Sequence, residues 1–88
     1  MDLSLEQICF GGCNFSFFEQ EGDFFFRAND LAKYLAYDRT NDMLQIVRDE
    51  TPETVLTRLR LFSSGQNREF VFLTESQMYI IDYLDFSI

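Results

Sequence analysis

The chain has 88 residues, room for one small domain, and its 47% hydrophobic content with 11 phenylalanines supplies a dense core and excludes a disordered tail. Seven Lys and Arg against 15 Asp and Glu leave a net charge of −8, which opposes nucleic acid and favours solubility or a basic protein partner. Histidine and tryptophan are absent and Lys33 is the one lysine, so the usual general bases near neutral pH are missing and an enzyme is not expected.

Residues 5–10 read as a first strand and Gly11-Gly12 as its turn. Residues 13–18 alternate, with Cys13, Phe15 and Phe17 on one face and Asn14 and Ser16 on the other, the pattern of a half-buried strand. An acidic turn over residues 19–23 around Gly22 leads into a buried aromatic strand, Phe24, Phe25 and Phe26. Asn29 is the expected cap of a first helix, with Asp30 in its first turn and Leu31, Tyr34 and Leu35 at helical spacing. Arg27 ends the aromatic strand, so its guanidinium is expected to be exposed or paired, for instance with Asp30.

The polar residues 38–42 connect to a second helix, capped by Thr40, with Asp42 in its first turn and Met43, Leu44 and Val47 as its apolar stripe. Two short helices joined by a turn suit a DNA-reading helix-turn-helix, but the second exposes only one basic side chain, Arg48, and two helices packed on a sheet give the same pattern. Thr51-Pro52 begins a helical turn or a loop. Alternation returns over residues 56–62, where Thr57, Leu59 and Leu61 oppose Arg58 and Arg60, the signature of a strand with one wet face. Residues 63–68 are expected to form a polar hairpin loop and residues 69–73 its returning strand.

Thr74 and Gln77 make a capping box, and Leu73 and Met78 occupy the positions of a hydrophobic staple, so a third helix starts there. Met78, Ile80, Ile81, Tyr83 and Leu84 make it apolar on more than one face, which means that it is sandwiched or lacks a partner. These elements predict an α+β fold: one domain spanning residues 1–88, a small antiparallel sheet built from two hairpin regions with three short helices packed on it.

Cys9 and Cys13 are the only cysteines. A two-residue turn at Gly11-Gly12 sets them on opposite faces of the ribbon, a poor geometry for a disulfide, whereas a three-residue loop sets them opposite each other. Reduced thiols in an intracellular protein are the expectation. Two cysteines without histidine do not complete a zinc site within one chain, and no cofactor is expected.

None of the four glycines opens a phosphate-binding loop. The carboxylate pairs Asp49/Glu50 and Asp82/Asp85 are read as solvated faces. Positive charge concentrates at Arg58, Arg60 and Arg68, which a hairpin brings together, joined by Arg39 or Arg48; these five are the candidate phosphate contacts, or they pair with the surplus carboxylates. No run approaches the roughly 18 apolar residues of a membrane helix, and no basic region precedes an apolar segment at the N-terminus.

The order of motifs resembles the Bro-N domain, the N-terminal module of baculovirus repeated-ORF proteins and of many phage antirepressors, from about Phe10 to Leu84. Phe25, Phe26, Arg27, Ala28, Asn29, Asp30, Leu31 and Ala32, then Leu35, Ala36 and Tyr37, stand where that family shows an aromatic-Phe-Val-Ala-basic-Asp-Val-Ala segment followed by Leu-Gly-Tyr. Residues 74–79 are similar to its final Asn-Glu-Ser-Gly-aromatic motif, through Glu75, Ser76 and Tyr79. The chain departs at Asn29, where the family carries a basic residue, and at Ala36, where it carries glycine.

The resemblance implies a non-enzymatic viral or prophage regulatory module in the nucleus or cytoplasm of a host cell. Such a module is expected to bind DNA, here with the charge-based candidates Arg39, Arg48, Arg58, Arg60 and Arg68 as its contacts, or to support a DNA-binding oligomer. The alternative is a protein-interaction or self-association module with an acidic surface that docks a host, viral or identical partner. The family domain often continues past its last helix, so a cut near Ile88 is expected.

Overall fold

The computed structural model describes residues 5–86, with the backbone alone for Ser63 and residues 84–86. The expectations that rest on the side chains of Leu84 and Asp85, and on Ile88, lie outside these described residues. The elements are β1 (Glu6–Phe10), β2 (Cys13–Gln20), β3 (Asp23–Arg27), α1 (Ala28–Tyr34), α2 (Thr40–Glu50), β4 (Thr57–Ser63), β5 (Gln66–Thr74) and α3 (Glu75–Phe86). The strands form one antiparallel sheet in the order β1-β2-β3-β5-β4, which with the three helices is the expected α+β arrangement.

All three hairpins close on two-residue turns, at Gly11-Gly12, Glu21-Gly22 and Ser64-Gly65, with φ positive at both central positions. That mirror-image turn matches the right-handed twist of the flanking strands. The expected long loops over residues 19–23 and 63–68 are therefore shorter than their polarity suggested. The strands run out to Gln20↔Asp23 and Ser63↔Gln66; polar residues at these ladder ends, exposed at Gln20, Asp23 and Gln66, hide the strand in sequence. The two-residue turn at Gly11-Gly12 pairs Phe10 with Cys13 and Cys9 with Asn14, so the thiols sit on opposite faces and both are free.

Helix boundaries shift by one or two residues from the sequence expectation. Arg27, not Asn29, occupies the N-cap of α1, and Arg39, not Thr40, that of α2; neither makes a side-chain cap. α1 ends in a Schellman motif: Tyr37 N donates to Ala32 O at 2.8 Å and Ala36 N to Lys33 O at 3.2 Å, which holds Ala36 at φ +63°. The capping box of α3 is formed, with Thr74 N donating to Gln77 Oε1 at 3.0 Å and Gln77 N to Thr74 Oγ1 at 3.3 Å. Gln77 Nε2 also donates to Thr54 Oγ1 at 3.1 Å, tying the loop before β4 to the start of α3.

The helices cover one face of the sheet. Phe15, Ala28, Leu31, Ala32, Met43, Leu44, Val47, Leu73 and Ile81 form that core. The other face carries a separate aromatic cluster: Phe18 stacks on Phe25 at 4.9 Å and meets Phe72 edge-on at 5.0 Å, and Leu59 pairs across with Phe70. The alternation expected in β4 is present, yet its apolar side joins this second cluster. Arg58 lies opposite Val71, on the helix side of the sheet, with its side chain about half exposed. Fully burying a Phe or Leu gives about 1.5–3 kcal/mol, so both faces contribute.

Candidate functional site

An apolar opening lies where the β1–β2 hairpin, α1 and α3 meet. Tyr34, the last residue of α1, lays its ring over the hairpin turn, 5.6 Å from the Phe10 ring and edge-on to Phe15 at 5.8 Å. A Cβ built on Gly11 would stand 2.5 Å from Tyr34 Cε1, so only glycine fits under that ring. The cavity beside it, about 250 Å³, has Phe15, Phe26 and Leu31 at its base, with Ile8 and Phe10 on one wall and Met78 and Tyr79 on the other.

The rim is unusually bare: Ile8 is 51% exposed, Phe10 59% and Tyr79 69%. Phe24, also exposed, extends the patch through its ring contact with Phe17 at 6.0 Å. Among the described residues, Asp82, on α3, is the one charged residue lining the cavity. Glu6 shares the face of β1 that carries Ile8 and Phe10, by strand alternation, and is exposed. An apolar trough with carboxylates at its margin suits a basic, apolar ligand.

The corner where β3 turns into α1 is polar. β3 leaves the sheet after Arg27, and the β2 backbone beyond Phe17 loses that neighbour. Asp30 takes its place: Oδ2 accepts from Ser16 N at 2.7 Å, and Oδ1 accepts from Arg27 Nη2 at 2.9 Å. The guanidinium also lies 5.4 Å from the centre of the Phe70 ring, so Arg27 is paired, as its position required, although its Nε is buried without a partner. Asp30 is thus a fastener between β2 and α1, and buried at 8% exposure. Gln7, Asn14 and Lys33 complete a cavity of about 290 Å³ around this joint.

The five arginines singled out by the sequence do not converge on one face. Arg58 and Arg60 share the helix side of β4, where Arg58 meets Glu69 at 3.4 Å and Glu69 stands directly opposite Arg60. Arg68 pairs with Leu61 and points to the other side of the sheet. Arg39 precedes α2 and Arg48 lies in its last turn, about 13 Å apart along the axis; Arg48 Nη1 donates to Asn41 Oδ1 at 3.0 Å. The groove escaped the sequence because its walls come from β1, β2, β3, α1 and α3. Its only trace was the excess apolar surface of the third helix.

Among the described residues, no cluster of three or more Cys, Asp or Glu is placed to hold a metal ion, and no helix is long and apolar enough to cross a membrane. No family model, curated protein or solved structure matches this chain.

Proposed function

We propose that this domain is a non-enzymatic protein-interaction module that seats an apolar side chain of a basic partner in the groove between the β1–β2 hairpin, α1 and α3. The observation that carries this reading is the rim of Ile8, Phe10 and Tyr79, each more than half exposed around a formed cavity. Large apolar groups grouped on a surface in this way mark contact sites, and aromatic residues and Met are enriched there. The volume of about 250 Å³ falls below the roughly 300–1,000 Å³ of small-molecule pockets and suits one or two side chains. A protein of net charge −8 attracts a cationic partner over about one Debye length, about 8 Å at physiological salt.

In a viral or prophage regulator of the Bro-N type, such a module acts by association and supports DNA binding elsewhere in the assembly. The test is an amide NMR titration of the 15N-labelled protein with a Lys-Leu amphipathic peptide, its Glu-Leu counterpart and a DNA duplex. The basic peptide is expected to shift Ile8, Phe10, Tyr34 and Tyr79, more weakly as salt rises, while the acidic peptide shifts none. Shifts with the duplex at Arg58, Arg60 and Arg48, and none with either peptide, would replace this reading with the DNA-binding one.

A further inference from the structure

We infer that the partner enters as an extended basic strand that pairs with the free edge of β1 while its apolar side chains drop into the adjacent groove. This rests on the interaction reading above and names the form of its ligand. Among the described residues β1 ends the sheet and pairs with β2 alone. The two-residue turn makes Phe10 and Cys13 a hydrogen-bonded pair, so alternation commits Phe10, Ile8 and Glu6 to β2 and turns the N–H and C=O of Gln7 and Cys9 outward. The other side of β2 agrees with this phase: Ser16, opposite Gln7, sends its N–H away from β1, to Asp30.

Nothing in β1 blocks that edge. It has no proline, no Lys or Arg and no unpaired register position, and its single charge, Glu6, stands at the start of the strand and not at the outward-facing Gln7 or Cys9. The same strand supplies the groove wall through Ile8 and Phe10, so a strand laid alongside Gln7 and Cys9 projects every second side chain toward the cavity. Glu6 on that face and Asp82 in the cavity match Lys or Arg two residues from an apolar anchor, on the same face of the added strand. A second copy pairing β1 to β1 would bring together two chains of net charge −8, which disfavours it against a cationic strand.

The probe is the eight-residue peptide Thr-Lys-Thr-Val-Thr-Val-Thr-Lys, which puts Lys and Val on one face of a strand, in three forms: unmodified, N-methylated at the Thr amides, and N-methylated at the Lys and Val amides. In an added strand only one of these sets faces β1, so one methylated form is expected to bind at least tenfold more weakly and the other within about threefold of the parent. Hydrogen exchange at Gln7 and Cys9 should slow in the complex. The variant Cys9→Pro removes an outward N–H without touching the β1–β2 ladder and should weaken binding about tenfold, while Cys9→Ser leaves it unchanged.

Shifts at Tyr34 and Tyr79 with equal binding of both methylated forms, and no protection at Gln7 and Cys9, would overturn strand addition and leave the groove reading standing. Failure of the parent peptide to bind would overturn both. Protection of Gln7 and Cys9 without peptide, with a dimer by light scattering, would assign the edge to a second copy. The methylated peptides decide the matter even if Cys9→Pro fails to fold.

Discussion

The sheet has two edges, and they are built to opposite ends. In β4 the residues whose backbone faces outward are Arg58, Arg60 and Phe62, so charge stands along the edge, matched by Glu69 across the ladder. In β1 the corresponding positions are Gln7 and Cys9, both uncharged, beside the exposed Ile8 and Phe10. Natural sheets place charge on open edges to prevent unwanted pairing. One edge of this domain follows that practice and the other does not, and this difference is why we propose the β1 side as the interaction surface.

The sharpest way to break the contrast is to loosen the joint that holds the β1 side to the helices. Asp30→Ala leaves Ser16 N and the Arg27 guanidinium without their acceptor and should cost about 3 kcal/mol in urea denaturation. Amide exchange should rise more in β1 and β2 than in β4 and β5; a uniform rise would mean that Asp30 is no local fastener. Gly11→Ala comes next. The added methyl meets Tyr34 at 2.5 Å on a backbone held at φ +59°, and a loss of about 2 kcal/mol is expected with displacement of the Tyr34 ring. If Tyr34 resonances stay unmoved, the ring does not clamp the turn.

Ala36→Gly tests the opposite sign. Ala36 sits in the left-handed region at φ +63°, and relieving it outweighs the added unfolded-chain entropy by about 0.5–1 kcal/mol, read as a rise in urea midpoint. The smallest effect belongs to the guarded edge. Arg58→Ala should change stability by less than about 0.5 kcal/mol, because its pair with Glu69 is half exposed on both sides. Replacing Arg58 and Arg60 together by Val should instead produce self-association that grows with protein concentration in sedimentation, making β4 resemble an unguarded edge.

Much of the fold was legible because it rests on local signals. Gly-containing segments with flanking apolar runs located the turns between neighbouring strands, the Thr74/Gln77 box located α3, and Met43, Leu44 and Val47 drew the buried stripe of α2. Boundaries moved where polar residues continue a strand at an exposed ladder end, as at residues 66–68. Ala36 stands where the resembled motif carries glycine, and the Schellman motif gives the physical reason that glycine suits the site. The arginines were legible as residues but not as a surface, since Leu61↔Arg68 sets Arg68 apart from Arg58 and Arg60 by a single register step.

The sequence by itself determined the α+β class and the turn at Gly11-Gly12, and it narrowed Arg27 to an exposed or paired guanidinium, because each follows from neighbours in the chain or from the cost of burying a lone charge. The two-residue register that separates Cys9 from Cys13 and the pairing of Arg27 with Asp30 came from the structure. Only the tertiary structure decided that β3 pairs with β5, which leaves β1 and β4 as the edges. It also decided that Tyr34, Met78 and Tyr79 meet Ile8 and Phe10 around one groove. Contacts between residues some 70 positions apart depend on how sheet twist and helix packing share out a small core, and no local pattern encodes that.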